Sequence, residues 1–209
     1  MHRKPLKGPD GRQILIAWMQ SWENCDYKMP EADFFGEMTI PRELFFKDGR
    51  LCQKPVHEIE NYYDRKYEYK DIGISSEIFL EGICGRTLDL SVNLKNVEGG
   101  FEICLAKNKD YQTRISIDES NNTLIFDRSL AGMPKEINNT CTINLLSKVS
   151  EGLSLRILMD RYSIELFING GEQSASFMIY TPVEAKSISF SASKATSADI
   201  LGCTLFDIL

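Results

Sequence analysis

Apolar and polar residues alternate with a period of two through most of the chain after residue 70, which is the pattern of strands with one buried face. Three hairpins are predicted from pairs of such runs: 88–94 with 101–105, 115–117 with 124–126, and 155–159 with 164–168. Three further strands are predicted at 177–180, 188–192 and 204–208. Short strands about ten residues apart favour an all-β fold, an antiparallel sandwich of two sheets like those of lectins and jelly rolls.

The first 55 residues follow a different pattern. Residues 12–19 are almost continuously apolar and predict a strand that is buried on both faces. Pro41 must lie at a bend or a sheet edge, because proline cannot donate to a ladder. Residues 56–70 are charged and rich in tyrosine, with a weak helical pattern at their start, and we interpret them as a connector. The predicted organisation is an N-terminal unit at 1–55, a connector at 56–70 and a sandwich at 71–209.

Composition and charge exclude several classes of protein. The chain has 209 residues, a net charge of −6 and no basic patch of the kind that binds nucleic acid or anionic membranes. No run approaches the ~20 apolar residues of a membrane-spanning helix, and no apolar segment precedes Pro5 as it would in a secretory signal. The six cysteines form no C-x-x-C pair and lie in strand-like runs, which favours reduced structural thiols over disulfides. These features predict a cytoplasmic protein.

Several stretches together carry a resemblance to a known family. In residues 155–171, two alternating runs flank an Asp-Arg dipeptide, and an Asn-Gly-Gly turn ends the second run. Residues 10–22 contain a Trp-Met-x-x-Trp sequence and are followed at 38–44 by a second matching run. Shorter matches lie at 51–56 and at Asp127-Arg128-Ser129. In this order the motifs resemble family 32 of the glycoside hydrolases, the β-fructosidases, which include invertases, sucrose-6-phosphate hydrolases, inulinases and levanases.

The resemblance implies that the chain combines a remnant of a five-bladed β-propeller, its last blade, with the family's C-terminal β-sandwich. Family members are retaining glycosidases, in which one carboxylate attacks the anomeric carbon and an acid about 5 Å away protonates the leaving group. The family takes these groups from Asn-Asp-Pro-Asn-Gly, Arg-Asp-Pro and Glu-Cys motifs. The chain contains no Asn-Asp, Asp-Pro or Glu-Cys dipeptide. No catalytic residue is therefore assigned, and the chain alone is expected to be inactive.

One substrate-binding residue follows from the resemblance. Trp22 resembles an aromatic residue that borders the family's fructosyl pocket, and its flat face suits the C–H surface of a sugar ring. It could contact sugar only in a completed propeller, and plain packing within the blade is the alternative for both Trp22 and Trp18. For Arg42 and Glu43, an ion pair or backbone contact that holds the blade is favoured over a catalytic role.

No metal site and no cofactor are predicted. The His57-Glu58 pair begins like the zinc motif H-E-x-x-H, but the fifth residue is Asn61. A cation site could be imagined from Asp127, Asp160 and Glu165. Carboxylates at turns and strand ends are more often solvated or cap the backbone, so we expect that role for all three.

Three functions remain in competition. The first is a structural or accessory part of a β-fructosidase that acts on sucrose, sucrose 6-phosphate or fructan. The second is a lectin-like module that binds fructan or sucrose, with tyrosines such as Tyr63 and Tyr111 as candidates. The third is the C-terminal half of a split enzyme. The expected partner is the missing N-terminal propeller portion, or a second copy through residues 12–46, because an unpaired blade exposes apolar surface and backbone groups.

Overall fold

The computed structural model describes residues 6–20, 27–28, 31–34, 36–133 and 138–205. These residues form one four-stranded, one five-stranded and one six-stranded antiparallel sheet. The strands are β1 (Leu6–Lys7), β2 (Gln13–Leu15), β3 (Arg42–Lys47), β4 (Arg50–Pro55), β5 (Tyr63–Ile74), β6 (Leu88–Lys95), β7 (Gly100–Lys107), β8 (Gln112–Asp118), β9 (Thr123–Leu130), β10 (Thr140–Asn144), β11 (Leu153–Asp160), β12 (Ser163–Ile168), β13 (Gln173–Met178), β14 (Ser187–Ala192) and β15 (Thr196–Leu205). Strand order is β1-β2-β3-β4, β10-β9-β8-β7-β14 and β13-β12-β11-β6-β15-β5.

The five-stranded and six-stranded sheets pack face to face around one hydrophobic core. Alternate residues of the central strands are fully buried there, as Leu90 is on β6 and Ile103 is on β7. The rings of Phe126 and Phe177 stack within this core, with centroids 3.6 Å apart. The predicted all-β sandwich is therefore confirmed, and its period-two pattern arises because only one face of each strand meets the opposite sheet.

Two of the three predicted hairpins are confirmed, and the first is wrong. β8 pairs with β9, and β11 pairs with β12, as the sequence predicts. β6 and β7, however, belong to different sheets and face each other across the core. Between them Asn96 turns with a φ of +51° and Val97 is buried, so the connection carries the chain from one sheet to the other. Alternation reports which residues are buried, but it does not report which strands share hydrogen bonds.

Part of the predicted connector is a strand of the sandwich. Residues His57–Tyr62 form a 3₁₀ helix, in agreement with the weak helical pattern, but β5 then begins at Tyr63 and pairs with β15 along its length. β15 in turn begins at Thr196, eight residues before the predicted start. The strand at 63–70 was missed because it is an edge strand, whose many charged residues hide the alternation.

The predicted strand at 12–19, buried on both faces, is also wrong. β2 covers only Gln13–Leu15, and Ile16 is 39% exposed. Leu15 pairs with Arg42, so Ile16 stands opposite Pro41, which has no N–H to donate. The pairing resumes irregularly as a single bridge between Trp18 and Met38. Pro41 directly precedes β3, and the regular pairing of β2 with β3 ends beside it.

The five cysteines within the described ranges carry free thiols, and Cys25 lies outside those ranges. No helix among the described residues is long and apolar enough to cross a membrane.

Candidate functional site

A buried ion pair joins the four-stranded sheet to the sandwich. Arg42, the first residue of β3, places its Nε 2.9 Å from Oε2 of Glu165 on β12. Its Nη2 donates to the same carboxylate oxygen and to the hydroxyl of Ser176 on β13. The backbone N–H of Ile40 donates to the other oxygen, Oε1, at 2.7 Å. Both carboxylate oxygens of Glu165 are thus bound by residues of the N-terminal segment.

The ion pair is almost closed to solvent. Arg42 is 5% exposed and Glu165 is 2% exposed. Burial raises the pKa of Glu165, and the charge of Arg42 opposes that rise. Cζ of Arg42 also lies 5.0 Å from the ring centroid of Phe167, which adds a cation–π contact. Removing one member of a buried pair costs about 3–5 kcal/mol, so the attachment of the sheet depends on both residues.

The turn between β12 and β13 docks against β4. The backbone N–H of Gln53 donates to the carbonyl of Gly171 at 2.9 Å. Gly171 has a φ of +97°, and a Cβ atom there would lie 1.9 Å from the carbonyl oxygen of Gln53. Only glycine therefore fits this approach. At the rim of the same contact, Lys47 pairs with Glu172 at 2.8 Å.

A second, exposed set of contacts ties β2 to the 3₁₀ helix. Nη1 of Arg12 lies 3.0 Å from Oε2 of Glu58 and 3.0 Å from Nδ1 of His57. Arg12 lowers the pKa of Glu58 to about 2, chiefly through the hydrogen bonds between the two side chains. Because this cluster is open to water and salt, we expect it to contribute little to stability.

Two cavities lie along the junction. One of about 180 Å³ is lined by Met38 and Ile40 of the N-terminal segment and by Met159 and Ser163 of the sandwich, among others. Another of about 290 Å³ is lined by Trp18, among others, and also borders the buried ion pair. Both cavities exist only while the sheet and the sandwich remain together.

Glu37 is the second inward carboxyl group at this junction. Burial raises its pKa to about 7, and the nearby charges of Asp160 and Glu165 add to the rise. A hydrogen bond with Ser163 and the charge of Arg86 act in the opposite direction. Glu37 is therefore poised to change its charge near neutral pH.

The described carboxylates at the junction are in contact with other protein groups. Glu165 is engaged by Arg42, Asp160 by the N–H of Arg161 at 2.7 Å, and Glu37 by Ser163. A retaining glycosidase needs a nucleophile and an acid that both reach one anomeric carbon. Of the junction carboxylates, Glu165 and Glu37 make contacts between the N-terminal segment and the sandwich, and Asp160 caps a turn.

Comparison with protein families decides the assignment. The sequence model described as "Glycosyl hydrolases family 32 C terminal" matches residues 58–206, and the model "Glycosyl hydrolases family 32 N-terminal domain" matches residues 3–55. The chain belongs to glycoside hydrolase family 32. The two matches meet where β4 ends and the 3₁₀ helix begins.

Relatives in family 32 include two bacterial enzymes. The chain is 31% identical over 188 residues to raffinose invertase of Escherichia coli, covering 88% of this chain and 37% of the relative. It is 30% identical over 180 residues to a probable sucrose-6-phosphate hydrolase of Vibrio cholerae, covering 86% and 31%. The chain thus spans about a third of the length of these relatives.

Solved structures in family 32 share the fold. Sucrose-6-phosphate hydrolase from Lactobacillus gasseri superposes with a TM-score of 0.82 at 23% identity, covering 99% of this chain and 41% of that one. Exo-inulinase from Aspergillus awamori superposes with a TM-score of 0.79 at 17% identity, covering 93% and 40%. These similarities agree with a propeller blade followed by a β-sandwich.

The structure describes Trp18, Arg42 and Glu43, but not Trp22. Trp22 lies outside the described residues, so its predicted contact with substrate stays a prediction. Trp18 bridges to Met38 and lines a junction cavity. Glu43 pairs across the strands with Lys54 at 3.4 Å, a contact within the blade. Arg42 instead reaches out of the blade to the sandwich.

The three carboxylates considered for a cation site are far from equivalent. Asp127 accepts from the N–H of Ser129 at 2.9 Å and from Arg114, and Asp160 accepts from the N–H of the next residue, so both cap turns. Glu165 was expected to behave in the same way, and this is wrong, because it is buried in an ion pair. Among the described residues, no three histidine, cysteine or acidic side chains are grouped so as to hold a metal.

Sequence reasoning missed the Arg42–Glu165 pair because the two residues are 123 positions apart. One signal was available in the sequence, since Glu165 interrupts the apolar run at 164–168. In the structure all six residues of β12 are buried, so this carboxylate must find a buried partner. The partner's identity, however, follows only from the way the sheet docks.

Proposed function

We propose that the chain is the C-terminal, structural part of a family 32 enzyme that hydrolyses β-fructofuranosides. The observation that carries the proposal is the buried Arg42–Glu165 pair, which clamps the last-blade sheet onto the sandwich. A blade held in this way presents a fixed surface on which the other blades of a propeller can pack. The substrate class follows from the names of relatives, which include a raffinose invertase, sucrose-6-phosphate hydrolases and a levanase.

Exposed apolar side chains support a packing role for the sheet. Ten large hydrophobic residues are exposed among those described, and six of them lie within 6–51, although most of the described chain is sandwich. Phe46 at 78% and Leu51 at 53% stand directly opposite each other on β3 and β4. Such a concentration is typical of an interaction surface. The remaining propeller, or a second copy bound through residues 12–46, would cover it.

The chain alone is proposed to be inactive. None of the motifs that supply the family's nucleophile, stabilising aspartate and acid is present in the sequence, and the junction carboxylates are bound to protein groups. The double displacement cannot proceed without two carboxyl groups at one anomeric carbon.

A chimera tests the proposal. Residues 3–206 replace the corresponding C-terminal region of E. coli raffinose invertase, and fructose release from sucrose, sucrose 6-phosphate and inulin is measured for the chimera and for the chain alone. We expect release by the chimera only. The same chimera with Glu165→Ala is the matched control and should lose activity at a lower temperature. Release by the chain alone, or a folded but inactive chimera, would contradict the proposal.

A further inference from the structure

A polar cleft of about 350 Å³ lies on the outer face of the six-stranded sheet, beside the junction but lined by different residues. Its floor is Asp89, whose neighbours Leu88 and Leu90 point into the core, so that its own side chain points outward. An outward carboxylate on a sheet is ordinarily solvated, yet Asp89 is 3% exposed. The cleft is therefore built around a carboxylate that the protein itself has enclosed.

Asp89 is held rigidly from two sides. Arg156 on β11 donates from Nε to Oδ1 at 3.1 Å and from Nη2 to Oδ2 at 2.6 Å. The hydroxyl of Tyr63 on β5 donates to Oδ2 at 2.7 Å. Burial and the Asp89 carboxylate raise the pKa of Tyr63, which keeps its phenol protonated as a donor. Groups that are already oriented lose little freedom when a ligand binds.

The walls of the cleft offer donors and acceptors that the fold does not use. Lys66 projects from β5 and has no ion-pair partner among the described residues, and Nη1 of Arg156 likewise has none within that part of the chain. Ser91 on β6 supplies an acceptor, and the exposed carboxylate of Glu60 supplies a second, with its Oε1 3.9 Å from Nη2 of Arg156. Leu201 adds an apolar patch beside them.

The charges that line the cleft balance. Two cations, Lys66 and Arg156, face two anions, Glu60 and Asp89, so neither an anion nor a cation is favoured. Mixed donors and acceptors around an apolar patch suit a neutral ligand with several hydroxyl groups and a C–H face. The volume falls within the range of about 300–1,000 Å³ found for small-molecule sites.

We propose that this cleft binds a neutral sugar on the sandwich itself. The site shares no residue with the Arg42–Glu165 joint or with the two junction cavities. Sugar binding here therefore needs no completed propeller and stands independently of the proposed function.

The test is a titration of the purified chain with fructose, sucrose, a short inulin and inorganic phosphate, followed by amide chemical shifts. We expect saturable sugar binding with a dissociation constant on the order of 1 mM, with shifts at Ser91 and Leu201. Lys66→Ala and Glu60→Ala should each weaken binding about tenfold, because each removes a charge-assisted hydrogen bond. The control Lys70→Ala lies four residues further along β5, is also exposed, does not line the cleft, and should bind normally.

Each outcome either supports the proposal or overturns it. Sugar binding that both cleft variants weaken, with the control unchanged, supports the proposal. Phosphate binding in preference to sugar, shifts located at the junction instead, or no saturation up to about 100 mM sugar would overturn it. The readout is binding by the chain alone, so it is unaffected by whether the invertase chimera releases fructose.

Discussion

The four-stranded sheet and the sandwich differ in how they are held together. The sandwich has one continuous core, whose first residue along the chain is Ile74, and no residue of the sheet belongs to it. Among the described strands of the sheet, the buried hydrophobic residues are only Leu15 and Cys52. The sheet and its adjoining loops are instead fixed from outside, by the ion pair of Arg42 with Glu165, by the docking of Gly171 and by a small apolar cluster in which Ala32 is buried against the sandwich.

This difference implies that the sheet depends on the sandwich more than the sandwich depends on the sheet. A unit with its own core can fold alone, whereas a unit whose buried contacts are mostly with a neighbour needs that neighbour. We therefore expect the sandwich to fold without the sheet and the sheet to need the sandwich.

The largest expected effect comes from separating the two parts. A chain of residues 56–209 should fold and unfold cooperatively, because its core is intact, whereas residues 1–55 alone should show no cooperative transition. Circular dichroism and thermal melting of both fragments check this. An unfolded 56–209 fragment would show that the sheet contributes to the core in a way that the contacts do not indicate.

Breaking the buried pair should detach the sheet and leave the sandwich folded. Glu165→Ala leaves the guanidinium of Arg42 buried without its partner and should destabilise the junction by about 3–5 kcal/mol. Hydrogen exchange should become faster in β2–β4 and remain slow in β6, β7 and β11. The double variant Arg42→Met with Glu165→Leu is the control, since removing both charges should recover much of the loss. Uniform acceleration across the chain would count against two unequal parts.

The docked turn offers a comparison between neighbouring glycines. Gly171→Ala should destabilise the junction by about 2–3 kcal/mol, because its φ is positive and its Cβ would meet the carbonyl of Gln53. Gly170→Ala has a positive φ of +72° but meets nothing within 4 Å, so it should cost only about 1 kcal/mol. Urea denaturation monitored at the sheet gives both values. Equal losses for the two variants would show that backbone strain alone, and not docking, matters at Gly171.

The smallest effect is a pH dependence at the junction. Burial raises the pKa of Glu37 from its ordinary value of 4.5 to about 7, so the folded state holds its proton more tightly. Junction stability should therefore be greatest below pH 4.5 as far as Glu37 is concerned, and should fall as the pH rises through 7. Glu37→Gln should abolish this slope. Hydrogen exchange of the sheet between pH 5 and 8 tests whether junction stability falls with rising pH. A stability that rises with pH in the original chain but not in the Glu37→Gln variant would refute the prediction.

Much of the sandwich could be predicted from the sequence, and the candidate site could not. The β8–β9 and β11–β12 hairpins were predicted correctly because each joins adjacent alternating runs through a short turn. The predicted hairpin of β6 with β7 was wrong because the same alternation also describes two strands in opposite sheets. The prediction for Glu165 was wrong for a further reason, since the environment of this side chain is set by a residue 123 positions away.

The sequence by itself determined that the chain is all-β, which side chains are buried in most strands of the sandwich, and which family it resembles. These properties are local, because side chains alternate along a strand whatever that strand pairs with. The tertiary structure decided which sheet each strand joined, that Arg42 and Glu165 bury their charges together, and that Asp89 is enclosed beneath a polar cleft. Those features depend on burial, and burial is settled only when distant segments pack against one another.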